Sequence, residues 1–234
     1  MRYRDTVPIA DTAIIVPAHN EAAVIEATIR EVREVFAHVI CVDDGSSDDT
    51  STQARQGGAR VLRHPVNLGQ GAALQTGIEY ALTLPVEYFC SFDADGQHRV
   101  EDVVAMRQRM VDDPVDIVLG SRFLGHDPKD MPLGKRLLLR GAVRFANATS
   151  GVKLTDAHNG LRLFNRHVAQ TIDLQEPGYQ HASEFVARIH ELGYAVAEMP
   201  VTIRYTEYSL QKGQSMMNAV NIAADTLVSK AVHR

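Results

Sequence analysis

Two hydrophobic rhythms alternate along the first half of the chain. Thr12 to Ala18 (TAIIVPA) is a continuous apolar run of strand length, the pattern of a sheet covered on both faces. From Glu21 the period lengthens: Val24, Ile25, Thr28, Ile29, Val32 and Phe36 mark one helical face, with Asn20 placed as an N-cap. The rhythm then predicts a strand over His38 to Val42, a short helix ending at Gly57-Gly58, and a strand over Ala59 to Arg63. A helix follows from Asn67-Leu68-Gly69-Gln70-Gly71 through Leu82, then a strand from Val86 to Phe92. Val100 to Val111 reads as a helix and Val115 to Leu119 as a strand. Beyond Arg122 the pattern loosens. A helix is expected over Lys135 to Thr149, a short strand over Leu161 to Phe164, and a helix over Ala182 to Leu192. An extended stretch over Tyr194 to Tyr205 and a final helix from about Ser215 complete the reading.

Strand–helix alternation with short connections predicts an α/β protein with an open, mostly parallel, doubly wound sheet. With no internal repeat, low-complexity tract or linker, the 234 residues read as one domain. Ligands in such sheets bind at the carboxyl ends of the strands. Those ends here carry Pro17 to Glu21, Asp43 to Asp48, Asp93 to His98, and Ser121-Arg122. Turn chemistry accounts for any one of them; four on the same edge point to a site.

The sharpest of these is Phe92-Asp93-Ala94-Asp95-Gly96-Gln97-His98. Residues i and i+2 of an extended chain project to the same side, so Asp93 and Asp95 would repel each other. A hard divalent cation, Mg²⁺ or Mn²⁺, removes that conflict, and Gln97 adds a neutral carbonyl oxygen. The plainer reading is an acidic turn that starts the next helix. Arg122, at a strand end, offers bidentate geometry for phosphate, against an ordinary surface salt bridge. The net charge of −5 argues against a general nucleic-acid binder. Cys41 and Cys90 fall inside predicted strands without metal spacing and read as core residues of a reducing cytoplasm. Met1 to Asp11 lacks the apolar core of a signal peptide, and no window reaches the length of a membrane span. A soluble or peripheral protein is expected.

Taken together, IIVPAHNEAAVI (Ile14 to Ile25), VDDGSSDDT (Val42 to Thr50), NLGQGAALQTGI (Asn67 to Ile78), FDADGQH, GSRF (Gly120 to Phe123) and GLRLF (Gly160 to Phe164) resemble family 2 glycosyltransferases of the GT-A fold. Within them the chain is similar to polyprenyl-phosphate sugar transferases such as dolichyl-phosphate mannosyltransferase. Each motif alone is weak; their order and spacing are specific. The resemblance implies a nucleotide-sugar-binding, Rossmann-like half over residues 1–122 and an acceptor-side half over 123–234. It implies that Pro17, His19 and Glu21 line the nucleotide base, with Asp44 and Ser46 beside it. Asp93 would approach the ribose and metal, while Asp95 and Gln97 hold Mg²⁺ or Mn²⁺ against the diphosphate. Gly69 and Gly71 would let the backbone close on the donor. The family usually has an aromatic or similar residue between Pro and Asn, where this chain has Ala18-His19. Inversion at the sugar carbon is the family expectation.

The acceptor side is implied at His158 and Arg162, with Asp156 the candidate base if the acceptor is a hydroxyl. A phosphate acceptor, already ionised, needs none. On a helical period Arg136, Arg140 and Arg144 form one stripe opposite Leu138, Leu139, Ala142 and Ala146. Like charges at i,i+4 disfavour a helix, so the stripe suggests an anionic partner such as lipid phosphates. The final helix adds an apolar face of Met216, Val220, Ala223, Leu227 and Ala231. The expectation is a cytoplasmic enzyme, peripheral on the inner face of the membrane or held by a small membrane partner. The alternative acceptor is a hydroxyl of a growing glycan. A haloacid-type phosphatase needs a Lys and a later acidic pair that no strand end supplies. A calcium loop fails because Gly falls at the fourth position from Asp93 and Val104 at the twelfth. A nucleotidyltransferase would have a basic Gly-rich loop where this chain has PAHNE, and a nucleotide-sugar sensor without turnover stays open. His64, His167, His190 and His233 read as surface or packing residues.

Overall fold

The computed structural model describes residues 7–124, 154–156, 159–178 and 180–204. The expected helices over 135–149 and from 215 onward, with Arg136, Arg140, Arg144 and His158, lie outside the described residues. In chain order the elements are β1 (Ile9–Ala18), α1 (Ile25–Arg33), β2 (Phe36–Asp43), α2 (Thr50–Gln56), β3 (Arg60–Arg63), α3 (Gln70–Leu82) and β4 (Tyr88–Ser91). They continue with α4 (Val100–Asp112), β5 (Ile117–Ser121), β6 (Arg162–Asn165), α5 (Arg166–Thr171), α6 (His181–Leu192) and β7 (Val196–Pro200).

The strands form one seven-stranded sheet in the order β3-β2-β1-β4-β6-β5-β7. All neighbours are parallel except β6, which runs antiparallel to both β4 and β5. The apolar run of β1 is continuous because both its faces are covered. Ala13 and Ile15 pack with Ile78 of α3 and Phe185 of α6, while Ile14 and Val16 pack with Ile29 of α1 and Met106 of α4. Cys41 and Cys90 are free thiols buried in β2 and β4, and burial pushes the Cys41 thiol up to about 12.

Three local expectations are corrected. Helix α1 starts at Ile25, not Glu21, and Asn20 is no N-cap: Val24 holds that position, and Asn20 lies earlier in the turn at φ 55°. Its side chain instead accepts the Ser47 amide at 2.9 Å. Phe36, placed on the helical face by periodicity, opens β2. Helix α5 was not expected, since six residues are too few to show a period. Its signal was Asn165, whose Oδ1 accepts the Val168 amide at 2.9 Å. The next residue, Arg166, donates to the carbonyls of Leu82, Leu84 and Val86, and so caps the far end of α3.

The antiparallel strand matters most for the site. A parallel strand delivers its last residues to the carboxyl edge; β6 delivers the residues before its first. Asn159 and Gly160 therefore arrive beside the ends of β4 and β5.

Candidate active site

On one side of that edge the loops after β1 and β2 are zipped together. The Asn20 amide donates to Ser46 Oγ at 2.9 Å, and the Glu21 amide to Thr50 Oγ1 at 2.8 Å. His19 Nδ1–H donates to the Asp44 carbonyl at 2.8 Å, and Asn20 Nδ2 reaches His19 Nε2 at 3.1 Å. Pro17 belongs to β1 and lies in register with Val42. Three carboxylates hold backbone amides here. Asp43 takes Ser46 N at 2.9 Å, and Asp48 takes Ala22 N and Thr50 N at 3.1 Å each.

Asp44 does more. It accepts Leu68 N at 2.8 Å, Gly69 N at 2.7 Å and His64 Nδ1–H at 2.7 Å. The sequence placed this carboxylate beside the nucleotide base; the geometry has it shaping the 64–69 loop. His64, read as a surface or packing residue, is its buried partner and also contacts Thr76 Oγ1 at 3.0 Å.

The same loop is gripped from the other side. The Gly71 amide donates to the Pro177 carbonyl at 2.7 Å. A Cβ on Gly69 would collide with Pro177 O, and one on Gly71 with Glu176 O and, at 2.8 Å, with His181. These glycines permit a close approach to the 176–178 segment. Glu184 holds that segment by accepting Gln175 N and Glu176 N at 2.9 Å. Neither contact was visible in the sequence, because strap and loop lie about a hundred residues apart.

Strand β4 ends at Ser91, so Asp93 and Asp95 lie in the following turn and not in an extended run. Their surroundings differ. Asp93 accepts His98 Nε2–H at 2.8 Å, faces Gln70 Nε2 at 3.5 Å, and leaves no room for a Cβ on Gly160. Burial opposes its charge, but His98, Arg162 and His181 outweigh it and hold its pKa below the ordinary value. Burial and the neighbouring Asp93 push Asp95 up to about 6. Gln97 supports Asp95 through its amide (3.0 Å) and its side-chain Nε2 (2.7 Å).

Among the described residues no three His, Cys, Asp or Glu side chains converge as a metal cage. Two adjacent carboxylates still fit a hard cation that completes its shell with phosphate and water oxygens, as Mg²⁺ does. His98 is the residue that sequence reasoning quoted but gave no role; it is buried and packs edge-on to Phe92.

On the other side of the edge, Arg122 follows β5 and meets Asp156. Its Nε and Nη2 donate to the two carboxylate oxygens at 2.6 and 2.7 Å, and its amide adds a third bond at 3.0 Å. Asp156 is 2 % exposed. Arg162, expected on the acceptor side, is 3 % exposed and lies with its guanidinium carbon 4.6 Å from the Phe185 ring centre. Its Nε donates to the Asn159 carbonyl at 3.1 Å. Burial pulls its pKa down to about 10 against the pull of Asp93 and Asp156. Charges thus alternate along the edge: Arg122, Asp156, Arg162, Asp93.

This sheet and its charged carboxyl edge define a nucleotide-sugar-dependent glycosyltransferase of the GT-A fold. The chain belongs to glycosyl transferase family 2, whose sequence model matches residues 13–173. It is similar to the UDP-N-acetylglucosamine–dolichyl-phosphate N-acetylglucosaminyltransferase of Methanococcus voltae, 29% identical over 93% of this chain and 95% of that one. The polyprenol monophosphomannose synthase of Mycolicibacterium smegmatis is also 29% identical, over 92% of this chain and 84% of the relative. In fold it resembles glucosyl-3-phosphoglycerate synthase of Mycobacterium tuberculosis solved with Mg²⁺ and UDP. The TM-score is 0.66 at 20% identity, over 97% of this chain and 80% of that one. No helix among the described residues is long and apolar enough to cross a membrane.

Proposed function

We propose that the enzyme moves a sugar from a nucleotide-sugar donor onto a polyprenyl phosphate. The observation that carries this reading is the pairing of Asp156 with Arg122. A hydroxyl acceptor needs a base, and Asp156 was the sequence candidate. Both its oxygens accept from one guanidinium. Withdrawing it from that buried pair would cost about 3–5 kcal/mol, which opposes its use as a base. A phosphate acceptor is already ionised and requires no proton transfer. The relatives acting on dolichyl phosphate and forming polyprenol monophosphomannose support the same choice.

In this reading Asp95, with Asp93 beside it and Gln97 behind it, would hold Mg²⁺ or Mn²⁺ at the donor diphosphate. The cation would supply Lewis-acid neutralisation of the charge that develops on the leaving group. Pro17, His19, Glu21 and Ser46 line the donor's base, and Asp44, Gly69 and Gly71 act through the shape of their loop. Arg122 supplies the fixed cation for the acceptor phosphate, with the bidentate carboxylate behind it setting its plane. Arg162 serves the acceptor side as a buried charge beneath Asp93 and Asp156. Inversion follows from direct attack by the phosphate oxygen. The sequence stripe of Arg136, Arg140 and Arg144 supports an anionic lipid partner at the inner face of the membrane.

Purified protein with Mn²⁺ and labelled UDP-, GDP- and dTDP-sugars tests the reading against undecaprenyl phosphate and undecaprenol in parallel. Label should enter the lipid phosphate and not the alcohol. Transfer to hydroxyl acceptors with none to the phosphate would overturn it.

A further inference from the structure

We propose that Glu198, on the edge strand β7, is a positioning residue for the transfer reaction, fixing Arg122 through a one-directional chain of hydrogen bonds. The inference rests on the reading that Arg122 faces an anionic acceptor.

Glu198 stands in register with Leu119 of β5 and reaches across to the 154–156 segment. Its carboxylate accepts the Thr155 amide at 2.9 Å, the Thr155 hydroxyl at 2.9 Å and the Asp156 amide at 3.2 Å. Thr155 Oγ1 in turn lies 2.6 Å from Ser121 Oγ, and Ser121 Oγ accepts the Phe123 amide at 3.2 Å. An ionised carboxylate only accepts, so it sets the direction of the whole chain. Thr155 gives its proton to Glu198, Ser121 gives its proton to Thr155, and the Phe123 amide donates to Ser121. Every hydroxyl then donates once and accepts once.

The chain brackets Arg122 from both sides in sequence, at Ser121 and Phe123, while Asp156 grips its guanidinium. Glu198 thus anchors two routes to one side chain: the backbone of Asp156 and the turn after β5. An ordinary structural carboxylate on an edge strand would need one such route. The convergence of both on a single cation points to positioning, since small displacements of a group that orients a substrate are costly.

The test is equilibrium binding of farnesyl phosphate to protein loaded with Mn²⁺ and UDP (or GDP, whichever binds), with nucleotide affinity and melting temperature measured alongside. Glu198→Gln should weaken farnesyl phosphate binding about 10- to 100-fold, the scale of a misplaced orienting group, and leave nucleotide affinity unchanged. Thr155→Val, which removes the relay hydroxyl, should act in the same direction, and Thr155→Ser should restore binding. If Glu198→Gln fails to fold, the Thr155 pair decides. Equal losses of nucleotide and farnesyl phosphate binding, or no loss of either, would overturn the proposal. Arg122→Gln separates the two levels of the argument. If it leaves farnesyl phosphate binding intact, the acceptor reading itself fails and this inference with it. If it abolishes binding while the Glu198 and Thr155 variants bind normally, the inference alone fails.

Discussion

The two sides of the carboxyl edge, to which the proposed function gives donor and acceptor, use the same residue types to different ends. Around β1 and β2 the carboxylates of Asp43, Asp44 and Asp48 hold backbone amides. Beyond β4 the pattern changes: Asp156 holds a guanidinium, and Arg162 is enclosed against an aromatic ring. Amide dipoles are shaped by the chain and build a cleft for a largely neutral base. Guanidinium groups carry a full charge and suit a phosphate. The edge is graded, carboxylates on backbone amides at one end and guanidinium groups at the other, with the Asp93–Asp95 pair at the join.

The largest expected effect lies at that join. Asp95→Ala should reduce transfer by at least about 100-fold, since metal charge stabilisation is worth several kcal/mol. Its melting temperature should not fall, because Asp95 is repelled by Asp93 in the metal-free protein. Initial rates with Mn²⁺ and paired thermal melts check this; full activity in the variant or in excess EDTA would remove the metal from the argument.

A smaller effect should be confined to the donor side. Asp44→Ala leaves the amides of Leu68 and Gly69 without their partner and should weaken nucleoside diphosphate binding by about 1–3 kcal/mol. Farnesyl phosphate binding should be unchanged. Calorimetry with both ligands measures the asymmetry, and equal losses would erase the distinction between the two sides.

The smallest effect is a pH dependence. Asp95 holds its proton up to about 6 in the folded protein and to 3.8 ordinarily, so the folded state binds more protons between those values. Its contribution to stability is complete below 3.8 and is lost as pH rises through about 6. Asp93, with a depressed pKa, works the other way: its contribution is present above the ordinary value and is lost as pH falls through the depressed one. Comparing Asp95→Asn with the parent chain by denaturant titration from pH 4 to pH 6 isolates the first of these. The parent should lose stability relative to the variant over that window, and parallel curves would refute the assignment.

What the sequence made legible follows the same division. The succession of strands and helices over the first half was readable because each βα unit is local: an apolar run, a polar turn, a new period. The acidic pair, Arg122 and the motif order led to the family. The partners of those residues were not readable. His64 on Asp44, Thr76 on His64, Pro177 against Gly71, and Glu198 on Thr155 all join segments brought together only by the fold. Periodicity also overran two boundaries. Phe36 fits the apolar face of α1 by spacing yet begins β2, and Asn20 has the chemistry of a helix cap yet serves as a latch to Ser47.

The reversed strand has a further consequence, for assembly of the chain. β4 and β5 do not pair with each other; β6, which begins at Arg162, well after β5 ends at Ser121, lies between them. A sheet of β1 to β4 formed before that strand emerges from the ribosome would carry an unpaired β4 edge, with Phe89 and Cys90 on it. An open apolar edge is a template for pairing with another chain, and non-local strands are slow to arrive. The step that brings Gly160 against Asp93 is therefore also the step that pairs the β4 edge.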